Sequence, residues 1–414
     1  MSETSGYFDD LETRDPEARE ADLMNQLPDQ LAAAKDTAPY FAELFAGVET
    51  ADVTSRDALV TLPVTRKSDL IERQAEDPPL GGLGGVALVD LAYLFPSSGP
   101  IYEPGGDAPD FWRFARAFWA GGFRPGDIVH NTFSYHLTPA GKMMESAVRA
   151  IGCPVFPGGV GNTELQLAAI SHIRPTAYAG TPSFLKILLD RAEESGLDVS
   201  SINKAGVGGE ALPPGLRREL NERGVFVLQS YGTADLGLIA YESEAMEGMI
   251  LDERIIVEIV RPGSGDLVAE GEVGEVVVTL LNPIYPLVRF ATGDLSAVMT
   301  GMSPCGRTNT RIKGWMGRAD QTTKVKGMFV HPSQINQIVA RHPEVIKARL
   351  VVSQENAQDV MTLNCEAAGG DEGLASAIAG TLQSVCKVRG RVDIVEPGSL
   401  ANDGKVIDDV RTYE

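Results

Sequence analysis

The pattern of apolar and polar positions divides this chain into four stretches. Residues 17–47, "EAREADLMNQLPDQLAAAKDTAPYFAELFAG", have the Ala and Leu content of helices, with a break near Pro39, whose ring does not fit a helix interior. "TLPVTRKSDL" then reads as a turn with a helix starting at Ser68 or Asp69. From 110 to 227 short apolar runs alternate with helical stretches. "DIVHNTF" precedes "AGKMMESAVRAIG", "PTAYAG" precedes "PSFLKILLDRAEESG", and "INKAGVGGE" precedes "PGLRRELNERG" and "VFVLQSYG". This rhythm predicts a parallel sheet with crossover helices. Ligands of such sheets sit beyond the carboxyl ends of the strands, which directs attention to the loops after "AYAG", "KAGVGG" and "VLQSYG".

From about 250 the runs shorten. "RIIVEIV", "GEVGEVVVTLL" and "YPLVRFATGDLSAV" are separated by Gly, Pro and Asp turns, which predicts antiparallel strands or a small β-barrel-like part. After Pro332 the order is helix, strand, polar turn, strand near "VMTLNCEA", helix, strand and polar tail, a compact α+β unit. The expected fold class is therefore α/β. A large N-terminal domain would hold parallel α/β sheets and the β-rich part, and a small α+β domain would follow.

Composition narrows the function. With 414 residues the chain exceeds one ordinary core, and 43% apolar with 22% charged residues suits a globular protein. The 36 basic and 57 acidic residues leave a net charge of −21, a field that repels nucleic acid and anionic lipid. No apolar run approaches the ~20 residues needed to cross a bilayer, and the acidic N-terminus lacks the apolar core of a signal peptide. Cys153, Cys305, Cys365 and Cys386 contain no CxxC pair, which fits a reducing cytoplasm and four buried small apolar side chains. A membrane or nucleic-acid partner is not expected; an anionic small molecule in a locally basic pocket is.

Four patches carry candidate chemistry. In "YLFPSSGPIYEPGG" the residues Ser97, Ser98 and Gly99 offer hydroxyls and backbone N–H groups to a polyphosphate. In "KAGVGGE", Gly208 and Gly209 bare the end of a strand so that a flat ring can lie against backbone, although a plain tight turn explains them equally. "SYGTADLG" places Tyr231, Gly232, Thr233 and Asp235 on one loop: a ring to stack on a base, a hydroxyl for phosphate and a carboxylate for Mg2+ through water. A helix N-cap at Thr233 or Asp235 is the alternative. In "YPLVRFATGDL" and "RIKGWMGRADQ", Asp294 can accept two hydrogen bonds from a ribose diol, and Arg311 and Arg318 can serve phosphate or ribose. A turn aspartate and surface arginines are the alternative.

Together these patches resemble the adenylate-forming superfamily of acyl-CoA synthetases, and within it the phenylacetate–CoA ligase family. The resemblance covers most of the chain and is strongest in "YPLVRFATGDLSAV", "CGRTNTRIKGWMGRADQTTKVKGMFVHPSQI" and "DGKV". It implies an AMP-forming ligase in which a carboxylate attacks the α-phosphate of ATP, after which the small domain rotates and the thiol of CoA displaces AMP. By matching position, Gly208, Gly209 and Glu210 take the adenine side, Tyr231 the ring contact and Asp294 the ribose. Arg318 precedes a hinge at Asp320, which puts the domains at 1–319 and 320–414. Lys405 matches the mobile lysine that reaches the α-phosphate and the carboxylate, a charge needed only while the phosphorane-like centre forms. Phe133, Tyr135, His136, Gly180 and Thr181 would line an acyl pocket for an aromatic, phenylacetate-like acid. For Phe133 and His136, core packing and an ordinary loop histidine stand beside that reading. ATP, Mg2+ and CoA are the implied cofactors, and a cytoplasmic homodimer the implied form.

The chain also departs from that family. Where its loops continue Thr-Thr-Gly-Lys-Pro, this one has Pro100-Ile101-Tyr102-Glu103-Pro104. A glutamate in place of the lysine reverses a charge, and one unit-charge contact near 4 Å is worth ~4 kcal/mol at an effective dielectric near 20. Ala234 stands where Ser or Thr is usual, and Asp235 is one methylene shorter than the usual Glu. A Cys/His metal site of some relatives would fall on Ser243, Met249 and Ser303 and leaves only Cys305, so no structural zinc is expected. These departures keep two alternatives open: an adenylating enzyme with an acceptor other than CoA, and a non-catalytic paralogue that binds an adenylate or acyl-CoA.

Overall fold

The computed structural model describes residues 6–97, 101–316, 318–319, 321, 323–330, 332–355, 358–369, 372–401 and 405–411. The chain divides into two compact units, Met1–Gly317 and Arg318–Tyr413.

The large unit starts with the helix Pro16–Thr37. Asp15 caps it by accepting from the Ala18 N–H at 2.9 Å, and the following helix Pro39–Leu44 begins on a proline, so the break falls at Ala38. Leu23, Leu27, Leu31 and Ala34 recur at helical spacing and form one buried face against Phe41, Phe45, Leu59, Leu62 and Val288. "TLPVTRKSDL" contributes more than a turn: Thr65–Arg66 is an edge strand, followed by a 3-10 helix Lys67–Asp69 and the helix Leu70–Glu76.

A nine-stranded sheet forms the centre. Strands Val155–Pro157, Val129–Asn131, Ala177–Gly180, Lys204–Val207 and Phe226–Thr233 are neighbours in that order and all parallel, with helices in the crossovers. The chain then reverses into Gly237–Tyr241, and antiparallel additions by Met249–Leu251, Arg311–Ile312 and Val298–Met299 complete the sheet. The β-rich part from 250 is thus antiparallel and is divided between this sheet and a second one. Its remaining strands, Ile255–Val260, Gly274–Leu280 and Phe290–Ser296, make a four-stranded sheet with Thr65–Arg66 parallel to Phe290–Ser296 at its edge. Every residue of Gly274–Leu280 is buried, so its valines serve both faces, and alternation is absent from the sequence for that reason.

The loop "YLFPSSGPIYEPGG" is a hairpin. Tyr93–Ser97 pairs antiparallel with Ile101–Gly105, and Phe95 lies opposite Glu103. Its tip, residues 98–100, lies outside the described residues.

Two buried arginines join separate segments. Arg289 ion-pairs with Glu258 at 2.9 Å and donates to the carbonyls of Val60, Leu62 and Gly265. Arg307 pairs with Glu12 at 2.9 Å, and Tyr241 donates its hydroxyl to the same carboxylate at 2.7 Å. Arg307 also reaches Cys305 Sγ at 3.6 Å, while Ser303 Oγ lies 3.1 Å from that sulfur. Cys153, Cys365 and Cys386 are buried as expected, and Cys305 is half-buried. Burial would raise the Cys305 thiol, but hydrogen bonds from Ser243, Ser303 and Arg307 outweigh it and hold the thiol below its ordinary value. Ser243, Ser303 and Cys305 therefore do come together, around a guanidinium.

In the small unit a sheet in the order Arg391–Val395, Gln358–Ala367, Val345–Glu355, Ile407–Asp409 carries the helices Pro332–Arg341 and Glu372–Cys386. Ile335, Ile338, Leu350, Leu363, Ile378 and Leu382 are its buried core. A short hairpin, Thr323–Val325 with Met328–Val330, precedes it.

Arg289→Met is expected to lower the stability of the large unit by about 3 kcal/mol, because Glu258 is left buried without its cation. Scanning calorimetry should show the large unit's transition shifted down and the small unit's unchanged; an unshifted large transition would show that Arg289 does not hold these segments together.

Candidate active site

The carboxyl ends of the parallel strands converge as their topology requires. Gly180 ends one strand in a position only glycine can fill, since a Cβ there would lie 2.0 Å from Thr132 Oγ1 and 2.2 Å from the Tyr178 hydroxyl. Those two groups bond each other at 2.8 Å, filling the space behind the strand end. Thr181 follows and caps the helix Pro182–Ser195, accepting from the Phe184 N–H at 3.4 Å. On the next strand end Gly208 donates its N–H to the Gly180 carbonyl at 3.2 Å, and Gly209 has φ +78. A Cβ at Gly209 would stand 3.6 Å from Phe133 and 3.9 Å from Thr181, so the bare backbone, the ring and the threonine share one place. Glu210 is exposed and accepts from the Ser183 N–H at 2.7 Å, tied to the first turn of that helix.

The next strand, Phe226–Thr233, carries Tyr231. Its hydroxyl donates to Asp294 Oδ2 at 2.9 Å, and the Trp315 indole N–H donates to Asp294 Oδ1 at 3.0 Å. Tyr231 belongs to the nine-stranded sheet and Asp294 to the four-stranded one, so this contact joins the two sheets. Thr233 and Asp235 do not start a helix. Residues 234–236 are a turn into Gly237–Tyr241, and Thr233 Oγ1 accepts from the Leu236 N–H at 3.2 Å.

Asp235 turns inward. Its side chain has 0% exposure, and Lys67 Nζ lies 2.5 Å from Oδ2 with 27% of the lysine side chain exposed. Glu103 comes to the same place from the hairpin. Alternation along Ile101–Gly105 sends Tyr102 outward and Glu103 inward, where it is 1% exposed. Gln74 holds that strand from outside, donating to the Tyr102 carbonyl at 2.9 Å and accepting its N–H at 2.6 Å. As carboxylates, Glu103 and Asp235 have only acceptors to offer each other, and both Glu103 oxygens, Asp235 Oδ1 and the Tyr285 hydroxyl are buried without a hydrogen-bond partner. One proton resolves this. Burial, then the neighbouring Asp235 charge, push the Glu103 carboxyl well above its ordinary range, which favours the protonated form that can donate to Asp235. Burial also opposes the charge on Asp235, but Lys67 and the bond from Glu103 outweigh it and keep that group ionised.

The expectation that Glu103 turns a negative charge toward an anion is corrected in its direction: the side chain is buried against Asp235, and its carboxyl is pushed above the ordinary range. Asp235 does not fit a resident magnesium ion either. One oxygen is taken by an ammonium group and the other faces Glu103, and a divalent ion there would have to displace Lys67. Among the described residues no group of three His, Cys, Asp or Glu side chains is placed to hold a metal.

Other expected residues are placed apart from this cluster. Arg311 donates to the carbonyls of Glu247, Thr300 and Gly301 at 2.9 to 3.2 Å and braces two turns. Tyr135 is half-buried and accepts from Asn131 Nδ2 at 2.8 Å, whereas His136 is exposed. Ser97 is buried at the base of the hairpin tip, its hydroxyl without a partner. Ser98, Gly99 and Asp320 lie outside the described residues. Arg318 and Lys405 belong to the small unit, where Lys405 Nζ lies 3.0 Å from Asp408 Oδ1.

Sequence reasoning missed Lys67, Trp315 and His130. Trp315 sat inside a quoted motif, and a half-buried indole N–H needs an acceptor, so a pairing with Asp294 was there to be asked about. Lys67 carried no local signal. His130 is buried, its Nε2 donating to Gln166 Oε1 at 2.7 Å, because Gln166 gives its own Nε2 to the carbonyls of Gly159 and Gly161.

Bare glycine backbone at the strand ends and a buried carboxylate held by Tyr231 and Trp315 are groups suited to a nucleotide. The family model of AMP-binding enzymes matches residues 114–280, and that of the AMP-binding enzyme C-terminal domain matches residues 327–410. Phenylacetate-coenzyme A ligase of Pseudomonas putida is 30% identical over 81% of this chain and 78% of its own length; that of Thermus thermophilus is 29% identical over 87% and 84%. A crystal structure of 2-hydroxyisobutyryl-CoA ligase with 2-HIB-AMP and CoA, in the thioesterification state, superposes with a TM-score of 0.86 at 26% identity, covering 99% of this chain and 93% of the other. The chain belongs to the phenylacetate–coenzyme A ligase family of AMP-binding enzymes, and its class is that of AMP-forming acid–thiol ligases.

Two substitutions separate the roles in the buried cluster. Glu103→Gln keeps the neutral shape and should be tolerated, whereas Glu103→Lys sets a second cation beside Lys67 and should lower Tm by about 5 °C. Because the folded-state value of Glu103 lies above its unfolded value, its contribution is complete at acid pH and is lost as pH rises through the folded-state value. Melting curves from pH 5 to 9 should therefore decline for the wild type and less so for Glu103→Gln; parallel curves would mean Glu103 is ionised. Lys67→Met should cost roughly 3 kcal/mol by stranding Asp235, and Lys67→Met with Asp235→Asn should recover most of it.

Proposed function

We propose that this chain activates an aromatic carboxylic acid as its acyl-adenylate with ATP and transfers the acyl group to CoA. The observation that carries the nucleotide half is Asp294, an acceptor-only carboxylate held by the Tyr231 hydroxyl and the Trp315 indole, in a chain whose AMP-binding family model matches residues 114–280. In the first step the carboxylate oxygen of the acid forms a bond to the α-phosphorus, and the bond to the bridging oxygen breaks as pyrophosphate leaves. In the second the CoA thiolate attacks the acyl carbon, and the C–O bond to AMP breaks.

Lys405 supplies positive charge at the α-phosphate and carboxylate during the first step, and a hinge at Asp320, just after Arg318, carries it away for the second. Lys67 stands in for the cation missing from position 103: it is partly exposed beside the hairpin, while Asp235 and neutral Glu103 fix its direction. Phe133 beside Gly209 supports an aromatic acid, as do relatives named for phenylacetate. A small 2-hydroxy acid is the second reading, favoured by the likeness to 2-hydroxyisobutyryl-CoA ligase.

Pyrophosphate release from ATP with phenylacetate, benzoate and 2-hydroxyisobutyrate, with and without CoA, tests this directly. The expected result is the highest kcat/KM with an aryl acid and thioester only when CoA is present. Preference for 2-hydroxyisobutyrate would refute the aromatic assignment, release without CoA consumption would point to another acceptor, and no release with any acid while AMP still raises Tm would mark a binding protein. Asp294→Ala should lower kcat/KM for ATP about 100-fold, the loss of hydrogen bonds to a charged acceptor. Lys405→Ala should abolish pyrophosphate release yet leave thioester formation from a supplied acyl-adenylate; equal loss of both would overturn its assignment.

A further inference from the structure

Lys405 stands at the entry to the edge strand Ile407–Asp409, which pairs parallel with Val345–Glu355. The peptide plane that follows the lysine is held on both of its edges. Arg349, 8% exposed on Val345–Glu355, donates Nε to the Lys405 carbonyl at 3.2 Å. Gln321 Oε1 accepts from the Val406 N–H at 2.9 Å and from the Ile407 N–H at 3.4 Å. In a trans peptide the carbonyl and the N–H point in opposite directions, so two side chains on opposite sides fix the rotation of this plane. They thereby constrain the direction in which the Lys405 side chain leaves the backbone.

The two holding residues arrive from different places. Arg349 also donates to the Ala401 carbonyl at 2.9 Å, which ties the chain before and after the lysine to one buried guanidinium. Lys347 donates to the same carbonyl at 2.9 Å, and Glu366 accepts from the Leu400 N–H at 2.7 Å. Gln321 comes from the start of the small unit, where its φ of +58 takes the backbone through a left-handed conformation uncommon for a residue of this type. The edge strand has other fastenings. Thr323 Oγ1 donates to Asp409 at 2.6 Å, Arg411 donates to the Lys324 carbonyl at 2.9 Å, and the Leu350 N–H donates to the Val406 carbonyl at 2.9 Å. To these Gln321 adds a hold on the two N–H groups next to Lys405.

We propose that Arg349 and Gln321 are positioning residues for Lys405, and that Gln321 couples the lysine to the hinge that immediately precedes it. The inference rests on the roles assigned to Lys405 and Asp320 above. A hinge delivers a side chain accurately only when nothing between the two gives way, and the glutamine bridges them with one side chain.

The test uses the full-length chain with two variants. Gln321→Met keeps the length of the side chain and removes its acceptor, and Gln321→Glu keeps an acceptor. Gln321→Met should lower kcat for pyrophosphate release at least about tenfold, with the KM values for ATP and acid little changed. Thioester formation from a supplied acyl-adenylate should stay within about twofold of the wild type, and Gln321→Glu should retain most of both steps. Arg349→Met should show the same split between the steps; should it fail to fold, the glutamine variants decide alone. Equal loss of both steps in Gln321→Met overturns the proposal, as does pyrophosphate release at the wild-type rate. Amide hydrogen exchange supplies a readout that needs no turnover. Val406 should exchange at least about tenfold faster in Gln321→Met while Leu350 stays as in the wild type, and an unchanged Val406 overturns the hold itself. Should the wild type release no pyrophosphate with any acid, the role of Lys405 falls on its own, and exchange at Val406 still decides whether Gln321 fixes this segment.

Discussion

A carboxylate with no exposed surface can stay ionised only beside a cation, and Asp235 meets that condition through Lys67. This one pairing constrains three segments that are far apart in the chain. Lys67 lies between the edge strand of the four-stranded sheet and the helix Leu70–Glu76, Asp235 in the reversal of the nine-stranded sheet, and Glu103 on the hairpin whose tip is the phosphate-loop sequence. Gln74, one turn and more beyond Lys67, clamps the same hairpin through the Tyr102 backbone. These three segments meet around a buried charge whose pairing must be right before they can pack.

The second junction is made by neutral donors. Tyr231 and Trp315 each give one donor to Asp294, which joins the two sheets and fixes the direction of the carboxylate. Glycine does the remaining work by leaving things out. Gly180 makes room for the Thr132–Tyr178 pair, and Gly209 leaves a gap between Phe133 and Thr181. Rigid polar contacts on one side and absent side chains on the other yield a cleft with few mobile parts to order when a nucleotide enters.

Much of this was legible beforehand. The β-loop-α rhythm from 110 to 227 read correctly because parallel strands buried on both faces and amphipathic helices leave contrasting local patterns. Gly208, Gly209 and Tyr231 were singled out because their motifs fall at strand ends, and the structure sets Tyr231 against Asp294. The edge strand Thr65–Arg66 was not found: two residues have no period, and their pairing with Phe290 and Ala291 joins positions more than two hundred residues apart. The division of the β-rich part between two sheets was missed for the same reason, since which strand pairs with which is not a local property. Arg311 looked like a ligand-binding cation, and the carbonyls that occupy it come from two distant turns.

Glu103 shows where sequence ends and tertiary structure begins. The sequence by itself determined that a glutamate replaces a lysine in the phosphate loop, that the rest of the adenylating motifs are in register, and that the chain is an α/β protein with a small α+β unit after it. It also contained, unread, the alternation Ile101-Tyr102-Glu103 that turns the acid inward. Only the tertiary structure decided what that acid meets, because its environment is made by Lys67, Asp235 and Tyr285 from three other segments. In water the same glutamate would be an anion that repels phosphate. Packed against a carboxylate and cut off from solvent, it has a proton affinity raised well above the ordinary range, since a low-dielectric interior decides protonation by neighbours that no local stretch of sequence specifies.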